Sequence, residues 1–189
     1  MSKQEIRKIF KNIKREESIS PLIKDLIKEL KIKNICIYSP FPYEIKIEDF
    51  KNYLKKEKID IYYPYVKRVD DKIFMEIRKD NGNVVKDELS IDSYLGKEED
   101  ESNIDAFLIP GLAYNRKGYR LGHGGGFYDM KLADYEGIKI GACYSDNIID
   151  DDFQEAHDIK VDYIVTEKEI IKINRWLYVW FYLTISRCW

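Results

Sequence analysis

The sequence is poor in the features that mark secreted, membrane-bound or nucleic-acid-binding chains. Cysteine is scarce: Cys36, Cys143 and Cys188 are the three present, odd in number and widely spaced. That excludes a disulfide framework and paired zinc ligands. Cys36 and Cys143 lie inside apolar runs and read as small core residues. Excess charge of one sign is missing too. Lys and Arg total 32 against 34 Asp and Glu, a net charge of −2, so there is no general pull toward a phosphate backbone. No apolar run is long enough to span a bilayer; the nearest, Trp176 to Ile185, is too short. The amino terminus is polar and basic, without the apolar core of a secretory signal. Internal repeats and linkers are absent. The expectation is one cytoplasmic domain over residues 1–175 with an aromatic-rich tail at 176–189, and 189 residues suffice for a real core. Its partners are expected to be small molecules, with no nucleic acid and no membrane. The chain is expected to be a monomer unless the tail joins two subunits.

What is present alternates between two periods. Residues 3–15 repeat Ile6, Ile9, Phe10 and Ile13 at helical spacing, with Lys3, Arg7 and Lys14 in line beside that stripe. Such a basic strip is ordinarily a solvated flank. Ser20-Pro21 opens a second helix with Leu22, Leu26, Ile27 and Leu30 as its buried face. Residues 47–57 read as a third. Buried strands are expected at Asn34–Tyr38, Ile59–Tyr65 (closed by Pro64), Ile104–Ile109, Ile138–Tyr144 and Val161–Val165, and an alternating strand at Lys72–Arg78 before the Asn81-Gly82 turn. The polar stretch 86–103, with its acidic run Glu98 to Glu101, reads as a solvated surface connection. Thr166 and Glu169 have capping-box spacing for a last helix. Strands alternating with helices predict an α/β fold: a single three-layer domain with a mostly parallel central sheet flanked by helices.

Glycine is where the composition concentrates. The chain has ten, and Gly122, Gly124, Gly125 and Gly126 fall within five positions. A loop of this kind, after a buried strand and before a helix near Phe127, exposes backbone N–H groups that can wrap an anion. Arg120 supplies a planar cationic fork suited to phosphate, and Asp129 a carboxylate able to hold Mg²⁺ against bound phosphates. The loop fits neither common template. The third position of a dinucleotide fingerprint is Phe127 here, and Gly126-Phe127-Tyr128 stands where a P-loop needs Gly-Lys-Ser/Thr.

Pro110-Gly111-Leu112-Ala113-Tyr114 followed by Gly118-Tyr119-Arg120-Leu121-Gly122-His123-Gly124-Gly125-Gly126-Phe127-Tyr128-Asp129 resembles the signature of the 5-formyltetrahydrofolate cyclo-ligase family, also called 5,10-methenyltetrahydrofolate synthetases. Lys3 to Arg7 resembles the family's amino-terminal Lys-x-x-x-Arg. Tyr38-Ser39 with Glu44 resembles its folate-contacting strand and loop, and His157 to Glu167 its carboxy-terminal block. The resemblance implies an enzyme that converts 5-formyltetrahydrofolate to 5,10-methenyltetrahydrofolate, with ATP as co-substrate and Mg²⁺ as cofactor, releasing ADP and phosphate through a phosphorylated formyl group. It implies ATP contacts at Lys3, Arg7, Arg120, Leu121, Gly122, His123, Gly124, Gly125, Gly126, Phe127 and Tyr128, with Arg120 acting in catalysis. Ser39, Glu44, His123, Gly124, Gly125, Gly126 and Phe127 would face the folate, and Asp129 and Asp158 the metal. The family's Gly-x-x-Glu-Pro segment is here only Gly96-Lys97-Glu98-Glu99, and the tail Trp176–Trp189 has no counterpart. Competing readings are an ATP-independent phosphate-binding α/β enzyme, such as a sugar-phosphate isomerase or CoA-transferase relative, and a non-catalytic folate- or nucleotide-binding module.

Overall fold

The computed structural model describes residues 2–13, 15–150 and 152–173; Lys14 and the aromatic tail lie outside them. Helix α1 (Lys3–Lys11) starts at a reciprocal cap. The Ser2 hydroxyl accepts from the Glu5 N–H at 3.3 Å, and the Glu5 carboxylate accepts from the Ser2 N–H at 2.8 Å. It ends earlier than the apolar periodicity suggests, because the Asn12 amide donates to the Lys8 carbonyl at 2.9 Å and caps it. Helix α2 (Ile23–Glu29) begins after the turn at Ser20-Pro21. That later start rotates its face: Ile23 is fully buried and Leu22, expected inside, is 49% exposed.

Strand β1 (Asn34–Cys36) is followed by α3 (Glu48–Lys56), then the long hairpin β2 (Asp60–Val69) and β3 (Lys72–Lys79). Pro64 does not close β2. It lies past Tyr62, where pairing with β1 ends, so a residue without an N–H is tolerated there. The stretch expected to be a plain surface connection instead contains β4 (Val84–Lys86), β5 (Asp92–Tyr94) and β6 (Glu98–Glu99), and buries Asp87, Ser93 and Tyr94. Next come β7 (Ala106–Pro110), β8 (Ala113–Asn115), β9 (Arg120–Leu121), the short helix α4 (Phe127–Lys131), β10 (Ile138–Ala142) and β11 (Ile148–Ile149). The chain then forms β12 (Tyr163–Val165) and β13 (Ile170–Lys172). Among the described residues no helix follows Thr166. Its hydroxyl accepts from the N–H groups of Lys168 and Glu169 at 3.1 and 3.0 Å, so the same capping chemistry closes the β12–β13 hairpin.

The main sheet has eight strands in the order β13-β12-β10-β7-β1-β2-β3-β6. The five central strands, β12 to β2, run parallel, and the antiparallel pairings sit at both margins. Side chains alternate across it. Ala106 and Leu108 face a core with Ile23, Ile27, Phe50 and Leu54 of α2 and α3, whereas Phe107 and Ile109 face Leu132, Tyr135, Val161 and Ile164. On that second face α4 is the one helix present among the described residues, so irregular backbone completes the layer. A small sheet, β11-β8-β9, carries α1 through a cluster of Ile6, Ala113, Leu121 and Phe153. No helix of the described residues is long and apolar enough to cross a membrane.

Two loops entering the sheet clasp each other. Asp105 accepts from the N–H groups of Lys33 and Asn34 at 2.7 and 3.1 Å, and the Asn34 side-chain carbonyl accepts from the Asp105 N–H at 2.7 Å. The clasp sets β1 beside β7, the strands whose far ends carry the site. Asp105→Ala is expected to lower stability by about 1.5–3 kcal/mol, the range for bonds to a charged acceptor. In urea unfolding the midpoint should fall at unchanged m-value; an unmoved midpoint would show that the clasp holds nothing.

Candidate active site

Parallel strands leave a crevice beyond their carboxyl ends. Here that crevice is a cavity of about 520 Å³, bounded by Tyr38 and Ser39 just past β1, Pro64 in β2 and Pro110 at the end of β7. Every described residue assigned a binding, metal or catalytic role from the sequence lines it.

At one end stands Arg120, whose Nη2 donates to Asp129 Oδ2 at 2.8 Å; the two side chains are 7% and 15% exposed. The guanidinium lies over the Tyr128 ring, 5.1 Å from its centroid, and its buried Nε–H has no partner among the described residues. Gly122 leaves room for this packing, since a Cβ there would stand 2.5 Å from Arg120 Nη1 and the guanidinium would have to shift. Gly124 takes φ +104°, a left-handed conformation that favours glycine. Among the described residues no hydrogen bond takes up the backbone N–H of His123, Gly124, Gly125 or Gly126. Helix α4 has only five residues, so its dipole is short and the bare amides and Arg120 supply most of the positive potential.

Helix α1 brings its basic strip to the same end. Arg7 Nε donates to the Gly122 carbonyl at 2.9 Å, and Lys3 Nζ donates to Glu155 at 2.9 Å and Asp158 at 3.3 Å. Burial pulls the Lys3 pKa down, but these carboxylates outweigh it and the net shift is upward. Asp158 also accepts from the Glu155 N–H at 2.8 Å, and Asp129 from the Ile159 N–H at 3.3 Å. The two carboxylates thus flank one turn of chain. Among the described residues no group of three or more His, Cys, Asp or Glu is arranged to hold a metal ion; Asp129 and Asp158 line this end together with Glu155, which is paired with Lys3. Leu121 lines the cavity but buries its side chain with Ile6.

The other end is apolar and aromatic. Glu44 is 3% exposed; its carboxylate accepts from the Phe41 N–H at 3.0 Å and lies 2.9 Å from His123 Nε2. Ser39 Oγ donates to the Asp92 carbonyl at 2.5 Å. Phe41, Tyr43, Val66, Met75, Leu89 and Ile91 complete this wall, and none was singled out from the sequence. Asp87 shapes part of it by accepting from the N–H groups of Val66, Leu89 and Ile91 at 3.2, 2.9 and 2.9 Å. The Asp-x-x-Ser turn pattern at 87–90 was the available signal. Burial pushes the Tyr38 and Tyr128 hydroxyls well above the usual phenol range and the Cys36 thiol well above its own. Neither Cys36 nor Cys143 lines the cavity.

Comparison with known proteins places this arrangement. The 5-formyltetrahydrofolate cyclo-ligase of Mycoplasma genitalium is 31% identical over 134 residues, covering 69% of this chain and 67% of that protein. The 5-formyltetrahydrofolate cyclo-ligase of Haemophilus influenzae is 27% identical over 157 residues, 74% of this chain and 82% of the relative. The NMR structure of 5,10-methenyltetrahydrofolate synthetase from Aquifex aeolicus shares the fold with a TM-score of 0.66 at 24% identity, covering 92% of this chain and 86% of that one. The family model matches residues 2–167, and the chain belongs to the 5-formyltetrahydrofolate cyclo-ligase family.

Proposed function

We propose that the protein closes the ring of 5-formyltetrahydrofolate to 5,10-methenyltetrahydrofolate at the expense of ATP, and that the cavity at the carboxyl edge of the sheet is where both substrates meet. The observation that carries this reading is the division of one cavity. Arg120, Lys3, Arg7 and unpaired loop amides stand at one end, and Phe41, Tyr43, Leu89 and Ile91 at the other. The first end suits a polyphosphate. The second suits a flat heterocycle with a few polar edges, which Glu44 and Ser39 would meet.

The chemistry needs both. The formyl oxygen is part of an amide and leaves poorly. In the proposed reaction that oxygen attacks the γ-phosphorus, an O–P bond forms, and the bond to ADP breaks. N10 then attacks the formyl carbon, the C–O bond breaks, inorganic phosphate departs, and N10 gives up its proton. Arg120 and the amides of residues 122–126 would offset charge on the transferring phosphoryl, while Lys3 and Arg7 hold the neighbouring phosphates. Two adjacent carboxylates fit Mg²⁺, which takes one or two from the protein and the rest from phosphates and water. Asp129 and Asp158 would hold it, and the ion would neutralise phosphate charge. No covalent enzyme nucleophile is required.

Mixing the protein with Mg·ATP and 5-formyltetrahydrofolate should generate the methenyl chromophore, with one ADP per ring closed and no signal when any component is omitted. Ring closure without ATP, or ATP hydrolysis indifferent to the folate, would refute the proposal. Arg120→Ala is expected to cut turnover by about 10² or more, as for loss of one preorganised donor; near-normal turnover at saturating ATP would remove its role. Asp129→Asn should shift the magnesium requirement upward by about tenfold, on the scale of a lost partner in a metal site. An unchanged metal titration would take Asp129 out of that site.

A further inference from the structure

The glycine loop is tied to the rest of the protein at two points. On one side Arg7 Nε donates to the Gly122 carbonyl at 2.9 Å. On the other, His123 leaves the loop and packs against the stacked rings of Phe41 and Tyr43, with ring centroids 5.3 and 5.6 Å away. There its Nε2 meets Glu44 Oε1 at 2.9 Å, 79 residues distant in sequence. Against a carboxylate, which can only accept, Nε2 is the donor. The Glu44 side chain is 2% exposed and His123 31%, so the bond is shielded at the carboxylate and reachable at the ring. Glu44 Oε2 is held by the Phe41 N–H. Each oxygen therefore keeps a lone pair beyond these two bonds, and the buried carboxylate lines the cavity.

From this geometry, and resting on the function proposed above, we infer that His123 is a positioning residue that couples the two substrates: its hydrogen bond to Glu44 registers the phosphate-side loop against the folate-side loop. The physical reason is the loop's composition. With glycine at four of five positions, ordering it costs more conformational entropy than ordering an ordinary loop. A ligand that fixes Glu44 fixes His123 and with it the loop, so the second ligand meets a loop already in place. The reverse holds equally, because coupling between two binding sites is reciprocal. Arg7 cannot substitute for this link, since it ties the loop to α1 and not to the folate wall.

The test is a binding cycle by calorimetry on the whole protein, with 5-formyltetrahydrofolate and the non-transferring analogue β,γ-imido-ATP with Mg²⁺. Each affinity is measured alone and with the other ligand saturating. The wild type should show positive coupling of about tenfold, within the usual range for linked sites. His123→Ala should bring the factor to about one, and His123→Gln, whose amide can still donate to Glu44, should restore most of it. In turnover, His123→Ala should lower kcat more than it raises either KM, as for a misregistered pair. Coupling that is absent in the wild type, or intact in His123→Ala, overturns the inference while leaving the ATP-dependent reaction standing. Failure of the wild type to bind the nucleotide at all overturns both.

Discussion

The ion pair of Arg120 and Asp129 is the constraint on which the site is built. With both side chains largely buried, neither can lose the other without leaving an uncompensated charge, at a cost of about 3–5 kcal/mol. The neighbours answer to that demand. Tyr128 offers its face to the guanidinium, Gly122 withholds the Cβ that would strike it, and the Ile159 N–H takes the second carboxylate oxygen. Even so one donor, Arg120 Nε–H, stays buried and unpartnered. A fold that retains an unsatisfied donor beside a row of open amides is stabilised less than it could be, and an anion would recover that loss.

The parallel sheet makes this arrangement reachable. Lys3 and Asp158 are 155 residues apart in sequence, Glu44 and His123 are 79, yet all four line one cavity. Successive parallel strands end at the same edge, so loops distant in sequence converge there with little freedom in their anchoring. The Asp105 and Asn34 clasp acts at the opposite edge, where chain order matters and chemistry does not. Hydrogen bonding at the entry side therefore fixes where β1 and β7 release their chains on the site side.

The glycine loop, the apolar stripe of α1 and the buried strands were legible because each depends on local composition, whereas the basic strip beside that stripe read as a solvated flank until the family resemblance gave it a role. A loop that leaves its backbone amides bare at positive φ favours glycine, and a helix stripe has its period in the sequence. What escaped the sequence depends on neighbours. Pro64 ends a strand that has two partners and is harmless where pairing on one side has already stopped. The Thr166 hydroxyl accepts the same two N–H groups in a hairpin turn as in a helix cap, so spacing alone could not separate them. The 86–103 stretch looked solvated because its charges are frequent, yet Asp87 turns inward to hold three backbone donors and presents Leu89 and Ile91 to the cavity. The family's fold could be expected from the signature. The apolar wall of the cavity could not, since its residues come from segments with no pattern of their own.

The charges at the basic end of the cavity are balanced within a chain of net charge −2. Arg120 pairs with Asp129, Lys3 bridges Asp158 and Glu155, and Arg7 stands beside them on the Gly122 carbonyl, so three cations face three carboxylates. Charges of both signs thus alternate at this end, and interleaving them offsets the repulsion that like charges would feel in a half-buried space. The proposed Mg·ATP would exchange partners instead of adding charge. The divalent ion would take the carboxylates while the phosphates take the freed Lys3 and Arg120, and the number of opposite-sign contacts would be kept. A site of unpaired cations alone would bind phosphate more strongly but would repel itself when empty. A site of unpaired carboxylates would hold a metal and repel the nucleotide. The interleaving of both signs is what allows the empty cavity to be stable and still receptive to an anion that arrives with its own cation.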